Sequence, residues 1–295
     1  MTGRVILSGL VFVCASLAMQ SAHAQVQTSD QQKCINKMNK DGIKVEAAQG
    51  KENAECVKRK ANNELGNSGM GSGAEACLTA DERGKVSGRQ GKTTQDQTTF
   101  CTMPPNFAFL GAGTVNAVTK QAELDLVHDV FGPAPIDAGL FATNPNVNEA
   151  VCQRNAIDRV EKLMQSMGRE FVKCKKNALK VGKDPFPSGA TSSADIEHCV
   201  NDPAAPNSVA ADTKGKLAKR KANLLTTITD QCDATGVSAV SFPGTCSGMT
   251  GATLHTCLID LVECRFCKMA NAMDGLAVDC NAFKALTPQA IGSCP

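Results

Sequence analysis

The sequence predicts an all-α protein made of two tandem disulfide-stapled antiparallel helical hairpin units that arose from an internal duplication. Three observations carry this expectation. The chain holds 15 cysteines in 295 residues, cysteine spacings recur in its two halves, and the second half carries a seven-residue apolar repeat with no proline in it.

Residues 1–24 come first. Arg4 gives a positive start, Val5 to Met19 run almost wholly apolar, and Ala22-His23-Ala24 is a small-x-small cleavage pattern. Together they predict a cleaved signal peptide and a periplasmic or extracellular protein. Cys14 is a poor lipid-attachment site because the bulky Val13 precedes it. Cleavage after Ala24 leaves fourteen cysteines, Cys14 being the one removed. An even number in an exported chain reads as fully paired. Formal net charge is +2, so there is no general attraction to nucleic acid or to an anionic membrane surface. No Trp or Tyr is present, which argues against ligands that stack on aromatic rings. No second apolar run approaches a membrane span.

Residues 25–146 form the first unit and residues 147–295 the second. Cys34 and Cys56 are 22 apart, as are Cys152 and Cys174. Ala80-Asp81-Glu82-Arg83-Gly84-Lys85-Val86 matches Ala211-Asp212-Thr213-Lys214-Gly215-Lys216-Leu217. From Lys85 to Cys101 and from Lys216 to Cys232 the distance is 16 residues in both cases. Asp125–Phe131 then corresponds to Asp260–Phe266. Three matched blocks in one order are the signature of a repeat.

The second copy shows its helices more clearly. Between Asn148 and Val181, Ala150, Ile157, Met164, Phe171 and Ala178 recur every seven residues. Val160, Met167, Cys174 and Val181 fill the complementary positions, as in a long helix packed on a partner. Gly182, Pro185, Pro187 and Gly189 end it. Helix resumes near Ala194 and, after the loop Asp202–Ser208, runs to about Cys232, with Leu217, Leu224, Leu225 and Ile228 on its face. The first copy reads alike but looser, because of Gly42 and the stretch Gly66–Gly73. A last helix spans Gly251 to Met273, with Gly275 as its stop.

Two cysteines 22 residues apart on one helix stand ~33 Å apart, far beyond the roughly 7 Å that a disulfide allows between Cα atoms. Nesting about the turns gives Cys174 with Cys199 and Cys152 with Cys232, and likewise Cys56 with Cys77 and Cys34 with Cys101. The segment 246–295 holds Cys246, Cys257, Cys264, Cys267, Cys280 and Cys294, whose fifteen possible pairings stay open.

With these elements placed, the chain resembles a group of exported, cysteine-rich, helical bacterial proteins with no assigned activity. The resemblance lies in Phe242-Pro243-Gly244-Thr245-Cys246, Leu261-Val262-Glu263-Cys264-Arg265-Phe266-Cys267, Asn271–Leu276 and Asp279-Cys280-Asn281-Ala282-Phe283. Where this chain has Asn281, the group's pattern carries Asp. The resemblance implies export and a stapled helical build, and it implies no chemistry.

No catalytic residue, cofactor site or metal site is expected. Cys264-Arg265-Phe266-Cys267 is a C-x-x-C, but it sits in mid-helix, without the strand and helix N-terminus that activate a redox thiol. His128, His198 and His255 are scattered. Met269 and Met273 near Cys267 could suit Cu(I), and Asp274, Asp279 and Asn281 could suit calcium, but such residues more often serve as core and caps. Ser68–Gly73 is a flexible link and not a phosphate loop. Asp81 and Glu82 read as a solvated helical face, and Lys58-Arg59-Lys60 and Lys219-Arg220-Lys221 as solvated surface. The expected function is a non-enzymatic structural or partner-binding role, with a protein partner or self-association through the helices. A small-ligand or metal carrier using the C-terminal Cys/Met/Asp segment is the alternative, and a thiol–disulfide oxidoreductase using Cys264 and Cys267 a more distant one.

Overall fold

The computed structural model describes residues 25–65, 73–284 and 290–295. The expected signal peptide and most of the Gly/Ser link lie outside them. The described residues are helical and contain no strand.

Helix α1 (Ser29–Ala61) begins at a capping box. Gln31 N–H donates to Thr28 Oγ1 at 3.3 Å, and Thr28 N–H donates back to Gln31 Oε1 at 2.9 Å. It runs unbroken through Gly42, contrary to the looser reading of this copy. A side chain at Gly42 would meet Val115 Cγ1 at 2.6 Å, so the glycine lets α4 approach. Close packing there offsets the ~1 kcal/mol that glycine costs inside a helix. Helices α2 (Ala74–Ala80), α3 (Lys85–Phe100) and α4 (Gly111–Phe131) follow, and a 3-10 turn (Ile136–Gly139) leads toward the second half.

Helix α5 (Val147–Ala178) fulfils the heptad pattern: Ala150, Ile157, Met164, Phe171 and Ala178 are all fully buried, as are Val160 and Cys174. Burying each of the larger of these is worth roughly 1.5–3 kcal/mol. Val181 is different. It lies past the end of α5 at Ala178 and is 68% exposed. The next arm is also less continuous than the sequence suggests. Helix α6 (Ser193–Asn201) and helix α7 (Lys216–Ile228) are separated by fourteen non-helical residues, and a π-helical turn (Thr229–Asp233) carries Cys232. Leu217, Leu224 and Ile228 are buried on α7, whereas Leu225 points partly outward. After the short α8 (Ser238–Ser241), helix α9 (Gly251–Asp274) ends at Gly275 with φ +64°, a left-handed stop that glycine adopts at no steric cost. Helix α10 (Cys280–Lys284) lies against α9.

Helices α3 and α7 begin alike. Asp81 (φ +43°) accepts from the N–H groups of Val86 and Ser87 at 2.9 and 2.7 Å. Asp212 (φ +38°) accepts from those of Leu217 and Ala218 at 3.1 and 2.8 Å. Gly84 and Gly215, both left-handed, precede the first helical residue. Asp81 is therefore a helix cap and not part of a solvated helical face; Glu82 pairs with Arg59.

Residues from both halves share one hydrophobic core. Helix α1 packs on α5, and α4 packs on α9. The approach of α1 to α5 is antiparallel: Asn39 meets Lys175, Ile43 meets Gly168, and Gly50 meets Glu161.

Candidate functional site

The cysteines form seven disulfides and leave no thiol among the described residues. Cys34 bonds Cys101 and Cys56 bonds Cys77; Cys152 bonds Cys232 and Cys174 bonds Cys199. In the C-terminal segment the pairs are Cys246–Cys257, Cys264–Cys294 and Cys267–Cys280. Cys264 and Cys267 therefore bond different partners, and the C-x-x-C is not a dithiol pair.

The other residues singled out in the C-terminal segment hold the fold together. Met269 and Met273 are buried in the core. Asp274 Oδ2 lies 2.6 Å from Lys175 Nζ, and both side chains are buried. Asn39 completes that contact, accepting from Lys175 at 2.6 Å and donating to Asp274 Oδ1 at 2.7 Å. Burial pushes the Lys175 pKa down and the Asp274 pKa up, while their mutual attraction opposes both shifts. Asp279 caps α10 through the N–H groups of Asn281 and Ala282. Asn281 accepts from Cys294 N–H. The histidines stay apart: His128 pairs with Glu75, His198 with Asp202, and His255 with the Lys221 carbonyl.

The polar feature without a structural explanation lies elsewhere. On α1, Glu46, Gln49, Gly50 and Asn53 occupy one helical stripe and are all buried. Glu123 from α4 and Glu161 from α5 converge on it. Asn53 Nδ2 donates to Glu161 Oε1 at 3.2 Å and to the Glu123 carbonyl at 2.9 Å. Gln49 fixes Asn53 by donating to its Oδ1 at 2.9 Å. Both carboxyl oxygens of Glu46, both of Glu123 and Oε2 of Glu161 are buried without any donor. Gly50 makes room for the cluster. A side chain there would run into Glu161 Oε2, and Glu123 Oε2 lies 3.1 Å from the same point.

Three carboxyl groups out of water and close together cannot all be ionised. Burial, first of all, pushes the Glu46 pKa up to about 8; the charge of Glu161 adds to the rise, while Glu123 and Arg169 work against it. Glu123 is held well above the usual carboxyl range by burial and by both neighbours. Glu161 is raised by burial against the hydrogen bonds from Glu123 and Asn53. A cleft of about 130 Å³ leads to the cluster between α1 and α5, with Asp158 and Lys162 on its wall. Among the described residues, no group of three or more His, Cys, Asp or Glu is set to hold a metal ion.

Sequence reasoning missed this cluster, although a signal existed. The inner stripe of α1 is apolar at Ile35 and Val57 but reads Glu46, Gln49, Gly50, Asn53 between them.

A second surface feature is a groove of about 470 Å³ between α1 and α5. Lys33, Lys37, Lys40, Lys176 and Lys180 line it around Phe100; Lys33 is paired with Asp30, and Lys37 with Asp41 and Asp96.

These features define a disulfide-rich helical protein, and the many disulfides suggest an oxidising, exported location. No described helix is long and apolar enough to cross a membrane. No family model matches the chain, and neither do any curated protein or solved structure.

Proposed function

We propose that this is an exported protein, matured by removal of residues 1–24, that acts without catalytic chemistry in a structural or partner-binding role. The observation that carries this reading is that every cysteine of the described residues is consumed in a disulfide. Among the described residues, then, there is neither a thiolate for a soft metal nor a thiol nucleophile for exchange. A duplicated unit, residues 25–146 and 147–295, belongs to the same proposal. It is supported by the matching Asp81 and Asp212 caps, and by Gly50 and Gly168, which fall at the same distance after Cys34 and Cys152 and both admit a neighbouring helix. For the partner-binding role, the groove between α1 and α5 is a candidate surface, where Lys40, Lys176 and Lys180 would favour an acidic partner.

Intact mass before and after reduction tests the reading. Protein taken from its exporting host should begin at Gln25 and gain fourteen hydrogens on reduction. A smaller gain together with a metal or ligand adduct would sink it.

A further inference from the structure

We propose that Glu46, Glu123 and Glu161 form a proton-binding site, closed by protons shared between carboxyl groups, that latches α1, α4 and α5 together and releases them in alkaline medium.

Geometry comes first. Five buried carboxyl oxygens have neither a hydrogen-bond donor nor an ion-pair partner, and each such group left uncompensated is costly. A proton on Glu123, which lies between the other two, turns an acceptor into a donor toward Glu46 or Glu161. Protons are the species that fit, because the carboxyl groups meet one another and do not surround a common centre. None of the charged groups facing the cluster donates to these oxygens. Lys51 stands on α1, and Asp158, Lys162 and Arg169 stand on α5. Lys162 is already bound to Asp158 at 2.5 Å. Helix α4 contributes Glu123 itself, and α2 only the Leu78 carbonyl, which accepts from Gln49. When a proton leaves, the cleft between α1 and α5 gives it a path to water.

The two copies supply a second, independent argument, which rests on the duplication proposed above. Aligned on the cysteines of α1 and α5, Glu46 falls on Met164, Gln49 on Met167, Asn53 on Phe171 and Glu161 on Ile43. Aligned on the block shared by α4 and α9, Glu123 falls on Leu258. All five counterparts are buried apolar residues, and Ile43 packs over Gly168 as Glu161 packs over Gly50. The same helix crossing is thus built once from hydrocarbon and once from acids. Packing alone does not require the acids.

The sign of the effect is definite. Folded-state pKa values lie above unfolded ones, so the folded protein binds more protons and stability falls as pH rises from about 4.5 toward about 8. The test compares wild type, Glu123→Gln and the triple variant Glu46→Met, Glu123→Leu, Glu161→Ile, which copies the apolar counterpart. Thermal midpoints are followed from about pH 5 to about pH 9, and infrared absorption of protonated carboxyl groups is recorded on the wild type near neutral pH. The wild-type midpoint should drop across that range relative to the triple variant, and the wild type should show the protonated-carboxyl band, weakened in Glu123→Gln. Absence of that band in the wild type overturns the proposal whether or not the variants fold. So does stabilisation of the wild type by calcium, magnesium or manganese in alkaline buffer that the triple variant lacks, since the site would then bind a metal ion.

Discussion

At the scale of single residues, the buried polar groups divide into those with partners and those without. Lys175 and Asp274 are partnered: one ion pair, squared off by Asn39, joins α1, α5 and α9. Replacing Lys175 by Met leaves Asp274 buried without its cation. Breaking a buried pair in this way costs about 3–5 kcal/mol, so chemical denaturation should show a fall of that size. Replacing Lys175 and Asp274 together by apolar residues should recover most of it, and a double replacement as unstable as the single would show that the ion pair itself holds the helices. Neither Lys175 nor Asp274 was legible in the sequence as a pair. Each sits in a stretch that reads as ordinary, a basic helix end and an Asp-Gly stop, and only the helix crossing brings them together. The acid cluster escaped for a related reason. Glu161 follows Val160 in a well-formed heptad, and nothing local marks it as inward-facing.

At the scale of elements, local chemistry was readable wherever it fixed the backbone directly. The heptad gave α5, and Gly275 gave the end of α9. The repeated Ala-Asp block was legible as a repeat but not as the start of α3 and α7, because Asp81 and Asp212 act from left-handed backbone outside the helices. Helix α4 was hidden by its own burial. Val115, Leu124, Leu126, Val127 and Val130 face different directions and are all covered, so no single apolar stripe stands out. The caps yield two predictions. Replacing Asp81 or Asp212 by Ala should cost roughly 0.5–2 kcal/mol each and speed hydrogen exchange at Val86 and Ser87, or at Leu217 and Ala218. Unchanged exchange would mean that the carboxylates are not the groups that start these helices. Acid should act the same way at Asp81. Burial works to raise its pKa, but the donations from Ser87, Val86 and Lys85 outweigh it and hold the carboxyl below its usual value. Its contribution is therefore complete above the unfolded pKa of about 3.8 and is lost as pH falls through the lower folded value. Alanine at position 81 should remove that part of the acid limb of the stability curve.

At the scale of the whole molecule, a chain with 4% aromatic residues has little ring surface for its core, and covalent bonds take up part of the work. Pairs that bridge long stretches restrict the unfolded chain most. Cys34–Cys101 closes 67 residues and Cys56–Cys77, nested inside it, closes 21. Chain entropy assigns about 4 kcal/mol to the first and about 3 kcal/mol to the second. The second half repeats the order, with Cys152–Cys232 closing 80 residues and Cys174–Cys199 closing 25. Replacing both cysteines of one pair by Ala removes similar sulfur volume in each case, so the comparison within each half isolates the loop. Equilibrium unfolding under non-reducing conditions should rank the outer-pair variant below the inner-pair variant in both halves, by about the same small margin. If the inner pair proves the costlier in either half, the bridges act mainly by holding native contacts around Cys56 or Cys174, and the unfolded chain is not where the stability of this fold is set.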